Sequence, residues 1–122
     1  MEPLSSFING AEVASESGET TEITNPSTGE VYATAPKSNQ ADVEKAMKSA
    51  AAAFEGWRDS TPSERQRALL KIADALESRA EEIVAIESRN TGKPIAVTMS
   101  EEIPPMIDQI RFFAGAARNL EG

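Results

Sequence analysis

The run Thr24-Asn25-Pro26-Ser27-Thr28-Gly29-Glu30-Val31 constrains the N-terminal third of the chain more than any other stretch. Pro26 presets φ for the second position of a type I turn, and Gly29 can take the positive φ that follows it. Thr20 to Thr24 runs into this turn, and Glu30-Val31-Tyr32-Ala33-Thr34 runs out of it. The pattern predicts a strand, a tight reversal and a second strand, with β character ending near Pro36. Upstream, Phe7-Ile8-Asn9-Gly10 followed by Ala11-Glu12-Val13 reads as a shorter strand and turn, and Ser15-Glu16-Ser17-Gly18 as a polar loop.

From Ser38 the period becomes helical. Asn39 is an N-cap and Asp42 its capping-box partner. Val43, Ala46, Met47, Ala50, Ala53, Phe54 and Trp57 then line one face, with Trp57 expected as a core anchor. Thr61-Pro62-Ser63-Glu64 starts a second helix: a threonine cap, proline at the first position and glutamate at the third. Leu69, Ile72, Ala73, Leu76, Ala80, Ile83 and Val84 continue one stripe, interrupted at Ser78-Arg79. Asn90-Thr91-Gly92-Lys93-Pro94 ends it, because Gly92 suits the left-handed position and Pro94 bars continuation. A last helix is expected from about Glu102, with Pro104 and Pro105 in its first turn and Met106, Ile110, Phe113, Ala114 and Ala117 buried. Phe112 is expected at the surface, as a contact for another segment.

Composition narrows the function classes. The net charge is −8, which argues against a surface that tracks the phosphates of nucleic acid or acidic lipid. With no cysteine, thiolate nucleophiles, disulfides and cysteine metal sites are excluded; with no histidine, so is the commonest general base. Aromatic residues make up only 5% and alanine supplies much of the apolar count, so a core built from these 122 residues is thin. Met1-Glu2-Pro3-Leu4 lacks the blocks of a signal peptide, and no apolar window approaches a bilayer span. The expected address is the cytoplasm.

Two motifs fall away on inspection. Thr91-Gly92-Lys93 lacks the upstream glycine of a phosphate-binding loop, and the seven glycines contain no G-x-G-x-x-G. Glu81, Glu82, Glu87, Glu101 and Glu102 sit on polar helix faces or at a helix start, where carboxylates suit the macrodipole better than catalysis.

Taken in order, several pieces resemble one family: Phe7-Ile8-Asn9-Gly10, Asn25 to Val31, the alanine-rich helix ending Phe54-x-x-Trp57-Arg58, Thr61-Pro62-x-Glu64-Arg65, Asn90 to Pro94, and Arg111-Phe112-Phe113-Ala114-Gly115-Ala116-Ala117. Together they resemble the N-terminal segment of the NAD(P)-dependent aldehyde dehydrogenases. Glu102-Ile103-Pro104 and Asp108-x-x-Arg111-Phe112-Phe113-Ala114-Gly115 look most like the betaine-aldehyde and aminobutyraldehyde branch.

The resemblance implies an α/β parent fold with a Rossmann-like cofactor domain. Residues 1–37 would form its N-terminal strands and hairpin, and residues 38–122 three to four α-helices. The family reaction adds a cysteine thiolate to the aldehyde, passes hydride to NAD or NADP, and releases the acid with water. That cysteine, its glutamate base, the cofactor residues and the oligomerisation region lie outside this segment, so no catalytic or cofactor-binding residue and no bound cofactor is expected for the chain alone. The implied partner is the remainder of the polypeptide, itself a homo-oligomer; neither nucleic acid nor membrane is implied. Some members hold a monovalent cation at positions matching Ile23, Thr24 and Asn90. Asn90 stands where those members have aspartate, so it keeps an oxygen and loses a charge. The alternative from a different class is a free-standing, non-catalytic helical interaction module.

Overall fold

The Asn25 turn forms as its residues dictate. In the computed structural model, which describes residues 2–119, Thr28 and Gly29 N–H both donate to the Asn25 carbonyl at 3.3 and 2.8 Å, and Gly29 takes φ +74°. Ser27 N–H donates to Asn25 Oδ1 at 2.9 Å, adding the side chain's own turn to that of the backbone. The turn joins β4 (Thr20–Thr24) to β5 (Val31–Pro36) in antiparallel register, Ile23 opposite Ala33, with an irregularity between Ile23 and Thr24. A Cβ at Gly29 would meet nothing within 4 Å, so only the backbone resists substitution there. Gly29→Val should therefore cost about 1–2 kcal/mol and Gly29→Asn distinctly less. Equal losses in denaturant melts would show that the left-handed conformation is not what selects glycine.

One strand is not legible in the pattern. β1 (Glu2–Pro3) pairs in parallel with β5, and Leu4 N–H donates to Thr34 O at 2.8 Å. The pairing is non-local and two residues long, so neither alternation nor turn chemistry announces it. It makes β5 the middle strand in the order β1-β5-β4, which is where Ala33 becomes fully buried. β2 (Ser6–Ile8) and β3 (Ala11–Val13) form a separate antiparallel hairpin. Its two-residue tip, Asn9 at φ 55° and Gly10 at φ 76°, has the positive φ pair of a type I′ turn.

Helix α1 (Gln40–Arg58) starts on the expected capping box. Asp42 N–H donates to Asn39 Oδ1 and Asn39 N–H to Asp42 Oδ2, each at 3.0 Å. Its apolar stripe forms but is not covered: Val43, Met47, Phe54 and Trp57 are 54–64% exposed. Trp57 is thus not a core anchor within these residues. A stripe of this kind records which side faces an apolar partner, and here more than half of each of these side chains lies in solvent.

The chain divides at Asp59/Ser60 into two units, so α1 belongs with the strands and the remaining helices form the second. In that unit α2 (Pro62–Ser78) begins on Thr61, whose N–H donates to Glu64 Oε2 at 2.6 Å. The polar interruption ends α2, and α3 runs Ala80–Thr91 to a left-handed Gly92 at φ 79°. The last helix, α5 (Ile103–Ala116), starts beside Glu102 as expected, with Pro104 and Pro105 in its first turn. What the pattern does not announce is the helical backbone that leads into it, the short α4 (Ile95–Val97) and a π-helical turn, Thr98–Glu102. Ile103 N–H reaches back five residues to Thr98 O. Pro104 and Pro105 have no N–H to donate, so the regular i→i+4 ladder is interrupted here whatever its pitch, and the wider turn sits just before that interruption.

The second unit's core is Ala73, Val84, Ile103 and Ile107, with Ile83, Met99 and Ile110 packed against it. The expected face of α5 needs correction: Ile110 and Ala114 turn inward, but with Ile103 and Ile107, while Met106 is 36% and Phe113 57% exposed. Similarly Ile72, read as part of the α2 stripe, is 49% exposed. Phe113 instead meets Phe112 edge to face, ring centres 5.4 Å apart.

Candidate functional site

A polar cluster in the first unit is built on Asp42, which is buried at 7% exposure. Its carboxylate accepts from Asn39 N–H, from Glu16 N–H at 2.9 Å and from Ser15 Oγ at 3.0 Å. Ser15 Oγ also lies 3.0 Å from Lys37 O and from Ser17 Oγ, so one hydroxyl joins loop, strand end and helix start. The backbone bond from Asn39, then that from Glu16, holds the Asp42 carboxyl below its ordinary value, outweighing the burial that opposes it. A carboxylate held ionised with its oxygens occupied is a clamp, not a general base. The sequence reading found its capping role and missed the docking of the Ser15 loop, since no local pattern reports a contact 27 residues away.

The sign of the pH dependence follows. A folded-state value below the unfolded one stabilises fully above the unfolded value, near 3.9, and the benefit disappears as pH falls through the folded value. Carboxyl-carbon NMR should show Asp42 titrating below the ordinary aspartate range, with the amides of Glu16 and Asn39 losing exchange protection over the same interval. An ordinary midpoint would show that the clamp does not persist in solution.

In the second unit the carboxylates pair with cations. Arg111 on α5 reaches Asp74 at 3.0 Å and also Glu77, both on α2. The Glu77 bond, then the Asp74 bond, pushes the guanidinium further up, and Glu77 is held below its ordinary value by Arg111. Lys93 bridges Glu102 at 2.9 Å and Glu87 at 3.6 Å, beside a small pocket lined by Ile83, Thr98, Ile103 and Met106. Glu82 pairs with Arg79, and Glu101 accepts from Ser100 Oγ. All of these stay partly solvated; the Arg111 and Lys93 pairs tie one element to another, and the other two are local. Among the described residues no group of three or more Asp, Glu, His or Cys is disposed to hold a metal.

Of the residues matched to a cation site, Ile23 and Thr24 are consecutive at the β4 irregularity in the first unit. Asn90 lies in the last turn of α3 in the second unit. Neither unit contains all three.

What the two units share is apolar surface without chemistry. Val43, Met47 and Phe54 stand out on α1, and Ile86, Phe112 and Phe113 in the second unit. The comparisons with known proteins account for that combination. The model of the aldehyde dehydrogenase family matches residues 13–122. The chain belongs to that family. A Bacillus subtilis protein assigned to the aldehyde dehydrogenases, DhaS, is 38% identical over 118 residues, which are 95% of this chain and 24% of that one. Among solved structures, the NAD+ complex of aldehyde dehydrogenase from Bacillus cereus superposes with a TM-score of 0.89 at 34% identity, over 93% of this chain and 24% of that one. The NAD-dependent aldehyde dehydrogenase from Sinorhizobium meliloti gives 0.92 at 37% identity, over 99% and 24%. The fold is therefore that of an aldehyde dehydrogenase N-terminal segment, with small strands leading into helices. The chain spans about a quarter of the length of these relatives.

Proposed function

We propose that this chain is the N-terminal segment of an NAD(P)-dependent aldehyde dehydrogenase that oxidises an aldehyde to its carboxylic acid. The observation that carries the reading is a family match over residues 13–122 in a chain that spans 24% of its relatives and contains no cysteine. The nucleophile and base belong to the remainder of the polypeptide, and so do the cofactor contacts. The described residues supply scaffold: the Asp42 clamp, the Arg111 ties and apolar helix faces that the remainder covers. Residues 1–37 serve as the strand region and residues 38–122 as the helical part of the cofactor-binding domain.

An aminoaldehyde substrate rests on the likeness of Glu102 to Pro104 and Asp108 to Gly115 to the betaine-aldehyde and aminobutyraldehyde branch. By the same kind of likeness Ile23, Thr24 and Asn90 contribute oxygens to a monovalent cation, and the whole enzyme is a cytoplasmic homo-oligomer. No helix among the described residues is long and apolar enough to cross a membrane. The purified chain should not reduce NAD+ with aminobutyraldehyde above a heat-killed control, since it has no thiolate to add to the carbonyl. Aldehyde-dependent NAD+ reduction by the chain alone would refute the assignment of catalysis to the remainder.

A further inference from the structure

We propose that Asn9–Gly10, the tip of the β2–β3 hairpin, is a site of spontaneous deamidation that lengthens or recharges this turn. The chain has asparagine at positions 9, 25, 39, 90 and 119, and only Asn9 precedes a glycine. The others are held or blocked. Asn25 precedes Pro26, which has no N–H to attack with, and the Asn39 side chain caps α1. Asn90 lies inside α3, and Asn119 Nδ2 donates to Gly115 O. Asn9 and Gly10 are both exposed, and even a Cβ built on Gly10 would meet nothing within 4 Å, so no neighbouring side chain crowds that side of the tip.

The step balances without an oxidant. Solvent base removes the Gly10 amide proton and the nitrogen attacks Asn9 Cγ; a C–N bond forms, the Cγ–Nδ2 bond breaks, and ammonia leaves a five-membered succinimide. Water then opens the ring at either carbonyl. Attack requires the turn backbone to rotate, and this hairpin resists weakly: it has two strands of three residues each, too few for independent stability. Opening at the Cγ carbonyl leaves aspartate, whose charge joins a cleft lined by Asn9, Lys45 and Lys48. Opening at the main-chain carbonyl leaves isoaspartate. That product routes the backbone through one extra carbon, and a two-residue tip can then no longer hold Ile8 opposite Ala11.

The test is peptide mapping by mass spectrometry of the intact chain aged in mildly alkaline, heavy-oxygen water. Asn9 should lose its amide ahead of the other asparagines, giving aspartate and isoaspartate that each carry one solvent oxygen, and faster as pH rises. Gly10→Ala should slow the conversion, because a methyl group hinders the nitrogen whether or not the hairpin folds. The proposal is overturned if Asn9 outlasts any other asparagine, if no isoaspartate forms, or if Gly10→Ala converts as fast as the parent.

Discussion

Replacing Ile107 by alanine should unfold the second unit under conditions where the parent chain is folded. Ile107 is 4% exposed and packs with Ala73, Val84 and Ile103 in a core whose largest fully buried side chain, among the described residues, is Val84. Isoleucine-to-alanine changes at such sites cost about 2–5 kcal/mol, the lost transfer energy plus the cavity left behind. A single core of this size rarely supplies more than about 3–5 kcal/mol in total. Ile72→Ala is the control: at 49% exposure it removes apolar area that stays half in water. Circular dichroism melts should lose the helical transition for Ile107→Ala and keep it for Ile72→Ala. Similar melts for the two variants would show that the α2–α5 packing is not what holds this unit together.

The second large effect concerns association. Ordering costs about 1–2 kcal/mol per residue, and alanine-rich stripes return little area, so the isolated chain should be marginal and should melt below about 60 °C. Its uncovered faces then look for partners. Val43 and Met47, 56% and 64% exposed on adjacent turns of α1, offer a contiguous apolar strip to a second copy. Light scattering should find the parent chain self-associated. The double variant Val43→Gln, Met47→Gln should be nearer monomer, with stability changed by no more than about 0.5 kcal/mol, as for ordinary surface sites. A parent chain that is a monomer with a sharp transition above that temperature would favour the self-sufficient interaction module.

What could be read in advance was local chemistry. The caps at Asn39 and Thr61 and the left-handed Gly29 and Gly92 each depend on a few neighbouring residues, and each stands where the sequence puts it; the stretch from Phe7 to Val13, read as one short strand and a turn, is two paired strands. Failures came where distance or ambiguity entered. The β1–β5 pair and the Ser15–Asp42 contact are non-local and leave no periodic trace. Helix α5 is apolar on more than one side, so Met106 and Phe113 were as eligible for the core as Ile103 and Ile107. The π turn at Thr98–Glu102 adds to the difficulty, since one extra residue turns the following side chains by roughly 100°. On α1 the period was right and the inference from it was not: Trp57 lies on the apolar side of the helix yet is 54% exposed.

The account stands on the chain being the front of an aldehyde dehydrogenase, and a chimera tests that most directly. Residues 1–122 would be joined to the part of the Bacillus subtilis relative that follows its own matched region, and NAD+ reduction followed with an aldehyde added. The account predicts a folded chimera that reduces NAD+ only when aldehyde is present, while the chain alone does not. A chimera that folds cooperatively yet neither binds NAD+ nor reduces it would contradict the account.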